Sequence, residues 1–274
     1  MGLLGLFFLG GGLFFADQQK GHFERKAASD ILAKMTGQIG QVSVKVDPTL
    51  AGGIDGSLHS ATITASGFGL DQLPLFTEPD RSKSGRIGNL QLRLTDFTLR
   101  KLRVAELSAD IPDCRYDFGL AKSRGQIRLS QSGVGEGWVK LREQDLADYI
   151  VKKYREIKRC TVKLDGDTVW VEGYGEFLIV NTEFAVISQI RVEGGDKLML
   201  TNTRVYFDWL PAEPEAVQGI LKIMNPVVDL RKDLGLYDAV EVQKVKIRGG
   251  FLTAWGKTKI PIRPTDEEPP DFRK

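Results

Sequence analysis

The sequence is poor in the side chains on which most metal and acyl-transfer chemistry depends. It holds two histidines, His22 and His59, and two cysteines, Cys114 and Cys160. The histidine spacing excludes an H-E-x-x-H zinc signature, and a Ser-His-Asp triad would have to use one of the pair. The cysteines match no C-x-x-C spacing. They read either as two unrelated buried thiols or as one disulfide, which requires an oxidising compartment. An excess of one charge is also missing: 38 basic residues meet 36 acidic ones, for a net charge of +2. That balance lacks the clustered basic excess of a nucleic-acid binder.

Signature loops are absent too. Gly249 to Thr258 (GGFLTAWGKT) is the nearest approach to a phosphate loop. A Walker A loop needs Gly, four residues, then Gly-Lys-Ser/Thr, and position 251 is Phe. Asp165-Gly166-Asp167 is a turn by residue type, and Asp266-Glu267-Glu268 lies in a Pro-rich stretch; neither forms an EF-hand loop. With no nucleophile elbow and no dinucleotide fingerprint, the sequence indicates no catalytic residue, no metal ligand and no cofactor.

What is present begins with an apolar run. Gly2 to Ala16 (GLLGLFFLGGGLFFA) carries no charge. As a helix it would span about 22 Å, short of the ~30 Å hydrocarbon core. No Lys or Arg precedes it, and Phe14 would occupy the −3 position of a cleavage after Ala16, where signal peptides have a small residue. Residues 1–16 therefore read as a membrane anchor or uncleaved signal, with the bulk of the chain on the extracytoplasmic side. The following Lys20, Arg25 and Lys26 argue the opposite orientation by the positive-inside rule, so orientation stays open. Asp17 to Thr36 reads as an amphipathic helix with Phe23, Ala27, Ile31 and Met35 on one face; the stripe caps the main domain or lies in the membrane interface, and its mixed charges favour capping.

From Gln38 the apolar period changes from helical to alternating. Val42, Val44 and Val46 alternate, as do Leu90, Leu92 and Leu94. The phase slips between Leu58 and Ala61, between Leu94 and Phe97, and between Val242 and Val245, which predicts bulges or bends in long strands. Asp165-Gly166-Asp167, Gly194-Gly195 and Gly249-Gly250 read as strand turns, and Ser132 to Gly137 as a loop. Two helices interrupt the strands. Arg142 to Ile157 places Leu146, Tyr149 and Ile150 on one face. Pro214 to Met224 places Val217, Ile220, Leu221 and Met224 at i, i+3, i+4 and i+7, and Asn225-Pro226 ends it. These patterns give an α+β fold of residues 17–256, with 257–274 as a disordered tail.

Bent strands and apolar-faced helices have two uses for their side chains. They fill a solid core, or they line a slot for acyl chains, where burial gains ~0.8 kcal/mol per CH₂. The seven helix residues Leu146, Tyr149, Ile150, Val217, Ile220, Leu221 and Met224 are the candidate lining. A lipid hydrolase using His59 with Ser57 or Ser60 is a third reading, although nothing in the sequence orients that imidazole.

Short motifs recur in a recognisable order: V-x-V-x-V-D-P from Val42, G-x-L from Gly56, and A-x-I-T-A-x-G-x-G-L from Ala61. They are followed by V-K-L-R-E-Q-D-L from Val139, N-P-V-V-D-L from Asn225 and G-G-F-L-T-A-W-G from Gly249. Their order is similar to that of the LmeA-like phospholipid-binding family of bacterial envelope proteins. The resemblance implies a tubular lipid-binding-like fold, a long curved antiparallel sheet wrapped around amphipathic helices. It also implies a phospholipid partner in the cell envelope, held or transferred without catalysis. A structural envelope protein with a solid core is the alternative.

Overall fold

The computed structural model describes residues 17–37, 40–71, 73–176 and 181–263. The anchor expected at 1–16 lies outside them. The chain opens with α1 (Asp17–Leu32), β1 (Gln41–Pro48), the single turn α2 (Gly52–Asp55), β2 (Ser57–Ser66) and β3 (Gly69–Leu70). Two 15-residue strands follow, β4 (Gly85–Leu99) and β5 (Leu102–Tyr116). Then come α3 (Phe118–Arg124), β6 (Leu129–Gln131), β7 (Gly135–Arg142) and α4 (Glu143–Lys153). A meander of β8 (Ile157–Asp165), β9 (Thr168–Glu176), β10 (Asn181–Glu193) and β11 (Lys197–Phe207) comes next. The chain continues through β12 (Leu210–Pro211), α5 (Pro214–Met224) and β13 (Val228–Asp229). It returns to the first sheet as β14 (Val240–Arg248) and β15 (Phe251–Thr258).

Two sheets result. The larger runs β1-β2-β4-β5-β7-β15-β14, with β3 and β6 paired alongside; the smaller runs β12-β11-β10-β9-β8. The architecture is β-rich, a strongly curled antiparallel half-barrel with a few helices. The junctions of β2 and β3 with β4 are parallel, because the chain crosses over before re-entering the sheet as β4.

The phase slips read from the sequence supply the curl. At Leu58 the β1–β2 register shifts opposite Asp47/Pro48. Between Val242 and Lys244 the β14–β15 register shifts in the same way. The slip between Leu94 and Phe97 has a different cause. The β4–β5 register is unbroken there, and Asp96 takes a left-handed φ of 49°. Asp113 on β5 does likewise at 51°. Asp tolerates that region better than most residues, and each such residue swings the strand round without breaking the ladder.

α1 packs on β1, burying Phe23, Ala27 and Ile31 beneath it. It therefore caps the domain, as its apolar stripe predicts. α4 is shorter than its expected span, because 139–142 stays in β7 and Ile157 already belongs to β8. Asp145, its third residue, accepts the Arg142 backbone N–H at 3.3 Å, which fixes the start of the helix. α5 matches the expected span, with Pro214 in the first turn.

The chain also stays ordered past 256. β15 runs to Thr258, the Lys259 N–H reaches Ala239 O, and the Ile260 N–H donates to Ser132 Oγ at 3.1 Å. Ile260 is buried in the core. The Pro-rich composition suggested a tail from 257, yet this one isoleucine finds an apolar seat and carries its neighbours with it. Residues 264–274 lie outside the described part.

Candidate functional site

The concave face of the large sheet carries two separate apolar clusters. One centres on Phe68, Phe97, Leu99, Val104 and α4; the other on Phe23, Ala61, Ile87, Leu90 and Ile111. Met35, Val42 and Leu107 touch both. Between the clusters lies a cavity of ≈ 310 Å³.

Register explains the gap. Successive neighbours across the sheet are Leu92, Ala109, Gly137, Gly256 and Val242. Three consecutive positions in that row lack a side chain beyond Cβ, so the curled sheet has nothing with which to fill its own concavity. Gly256 is also required sterically, since a Cβ there would lie 2.1 Å from Glu241 O. In the next row Leu94, Leu107, Val139 and Ala254 face the same space. Of these, Leu94, Leu107 and Val139 are only half-buried, as is Leu92, although they point into the domain. They border empty volume rather than packed neighbours.

The other walls come from three irregular segments. Leu70 at the end of β3 and Leu73, Leu75 and Phe76 after it contribute first, and Phe76 lies under the Lys34 ammonium and the Arg128 guanidinium, each 5.6 Å from its centroid. Val228, Leu230, Leu234 and Leu236 contribute from the strap after α5, and Ile260 and Pro261 from the segment after β15. Arg263 fastens these segments together, donating to Tyr237 Oη at 3.2 Å and to Leu73 O at 3.5 Å. The charged residues along the cavity are Lys257 and Lys259.

The strap is held by the N-P-V-V-D-L segment. The Asn225 side chain acts as one more strand residue beside β11, accepting the Leu200 N–H at 2.7 Å and donating to Leu200 O at 3.0 Å. Asp229 Oδ1 caps the next turn by accepting from the Arg231 and Lys232 N–H groups. Asp233 Oδ2 accepts from Lys153 Nζ at 2.7 Å, Tyr149 Oη at 2.9 Å and the Asp229 N–H at 2.9 Å. Lys153 also donates to Pro226 O and Val227 O. Burial, followed by the neighbouring Asp233 carboxylate, pushes the Tyr149 phenol far above its usual range, so it remains a donor.

The seven helix residues expected to line a slot lie elsewhere. Leu146, Tyr149, Ile150 and Met224 are buried in the cluster around α4, and Val217, Ile220 and Leu221 pack partly against it. None borders the cavity. Sequence reasoning missed Ala109, Gly137 and Gly256, together with the leucines around them. The glycines from 133 to 137 read as a loop, whereas Gly135 and Gly137 are strand residues chosen for close approach. The G-G-F-L-T-A-W-G segment, which fails as a phosphate loop, forms β15 and continues the same wall beside β7.

The remaining chemistry is sparse. Cys114 and Cys160 are free thiols on different sheets. Burial, with Asp113 nearby, pushes Cys114 up to about 12, and burial, with Asp148 nearby, pushes Cys160 up to about 11. Both are protonated and unreactive at neutral pH. His59 is exposed on β2, and among the described residues its ring makes no hydrogen bond. Among the described residues no three His, Cys, Asp or Glu side chains cluster for a metal, and no helix is long and apolar enough to cross a membrane.

No curated protein and no solved structure matches the chain. A family model described as LmeA-like phospholipid-binding matches residues 35–256, and the chain belongs to that family.

Proposed function

We propose that this member of the LmeA-like phospholipid-binding family holds the acyl chains of a phospholipid in the cavity of its curled sheet and passes the lipid between membranes of the cell envelope. The observation that carries the reading is the set of half-buried leucines and Val139 on the concave face, which gain burial only if something apolar enters. Each acyl CH₂ taken out of water there contributes ~0.8 kcal/mol. The headgroup lies outward, where Lys257 and Lys259 stand. Residues 1–16 serve as an anchor that keeps the domain beside its donor membrane on the extracytoplasmic side. No catalytic step is required. The hydrolase alternative has no support in geometry, since neither Ser57 nor Ser60 hydrogen-bonds the exposed His59 ring.

The test is transfer of a fluorescent phospholipid from donor to acceptor vesicles by the full chain. The expected result is a rate proportional to protein concentration. A rate no higher than that of vesicles alone, with no labelled lipid on the protein, would overturn the proposal.

A further inference from the structure

The face of β7, β15 and β14 that turns away from the core carries a row of aromatic and basic side chains, of which Trp138, Trp255 and Lys257 also border the cavity. Trp138 and Trp255 are direct cross-strand partners there. On the adjoining strand Lys244 stands opposite Trp255, Lys246 opposite Thr253, and Arg248 opposite Phe251. Lys140 lies 5.2 Å from the Trp138 centroid and 5.8 Å from that of Phe251. The cations divide into two sets. Lys140 is paired with Glu106 and Lys257 with Glu241. Lys244, Lys246 and Arg248 are exposed, and none has a carboxylate partner among the described residues.

Lysines on the last strand of a sheet are an ordinary defence against edge pairing. That defence needs no aromatic neighbours, yet here three unpaired cations border two tryptophans and a phenylalanine. Indole rings favour the headgroup level of a bilayer, and nearby Lys and Arg are drawn to anionic headgroups. A nucleic-acid platform would need open ring faces for stacked bases. The face of Trp138 is already covered by Lys140.

We propose that this face docks on an anionic lipid bilayer, with Lys244, Lys246 and Arg248 on headgroup phosphates and Trp138 and Trp255 seated at the interface. Gly256, between Trp255 and Lys257, forms part of the cavity wall, so docking brings the cavity within one sheet thickness of the bilayer. The inference does not depend on what the cavity holds.

The test is sedimentation of the full chain with vesicles of phosphatidylcholine alone or mixed with phosphatidylglycerol. Any contribution of the apolar N-terminus is common to all variants. The expected result is a preference for anionic vesicles that weakens with salt. The exposed triple variant K244Q/K246Q/R248Q should lose on the order of 100-fold in partition onto them, with binding to neutral vesicles unchanged. Trp255→Ala should weaken binding to both. Equal partition of wild type onto both vesicles, or a triple variant that partitions like wild type, would overturn the proposal. So would binding to poly-uridine RNA, lost in the triple variant, without anionic vesicle binding. Lipid held in the cavity, measured on the same samples, should be unaffected by the triple substitution.

Discussion

Ala109→Phe is expected to abolish phospholipid uptake while leaving the protein folded. Ala109 lies on the concave face beside Gly137, and no side chain of Gly137 or Gly256 opposes it. A phenyl ring grown from its Cβ enters the cavity and takes the place of acyl chain. If it displaces about four methylenes, the loss is ~3 kcal/mol, on the order of 100-fold in affinity. Stability separates the two readings of the core. In a solid core an added ring forces side chains off their rotamers and costs ~1–3 kcal/mol or more. In a hollow one it covers Leu94, Leu107 and Val139, so the thermal midpoint of lipid-free protein should hold or rise. Leu94→Phe, one row away, should act in the same direction. Calorimetry together with uptake of labelled lipid checks both. A lowered midpoint with unchanged uptake would mean that the cavity is not where the lipid sits.

Asp233→Ala is expected to be the most damaging single change outside the apolar core. Its carboxylate collects three hydrogen bonds and joins α4 to the strap that walls the cavity. Removing it leaves Lys153 largely buried among backbone carbonyls, with its side chain 20% exposed. Losing one partner of a fully buried pair costs ~3–5 kcal/mol, and partial exposure here lowers the figure to about 3 kcal/mol. For a domain of this size that is a drop of about 6–12 °C in the unfolding midpoint. Asp233→Asn keeps an acceptor for Lys153 and Tyr149 and should lose about half as much. Denaturant or thermal unfolding checks the order Ala, then Asn, then wild type. Equal stability of all three would show that the strap is held by its leucines alone.

The elements were largely legible in the sequence, because burial on one face leaves a period-2 trace and every phase slip has a structural cause. Val242 to Val245 is a bulge, and Leu94 to Phe97 is the left-handed Asp96. α5 was legible from end to end, since Pro214 and Asn225-Pro226 mark both of its limits. The cavity was not. A hollow and a filled core have the same alternation, and the difference lies in which residues share a row across the sheet. Ala109, Gly137 and Gly256 are spread over almost 150 residues of chain, and only strand pairing brings them side by side. The expected lining residues lie away from the cavity for the complementary reason. An apolar helix face, such as that of Leu146, Tyr149 and Ile150, is the same whether it touches a ligand or the underside of a second sheet. Polar residues of the strap misled as well. Asn225 reads only as a helix stop and Asp233 carries no signal in the sequence, because their roles depend on partners 25 and 80 residues away.

The most direct measurement is native mass spectrometry of the full chain purified from membranes and freed of detergent. Wild type is expected to carry a mass excess of one phospholipid, released on collisional activation and identified by its fatty acids. Ala109→Phe is expected to be recovered folded without that excess. Wild-type protein at its bare mass, with no lipid acquired after incubation with vesicles, would contradict the proposed function.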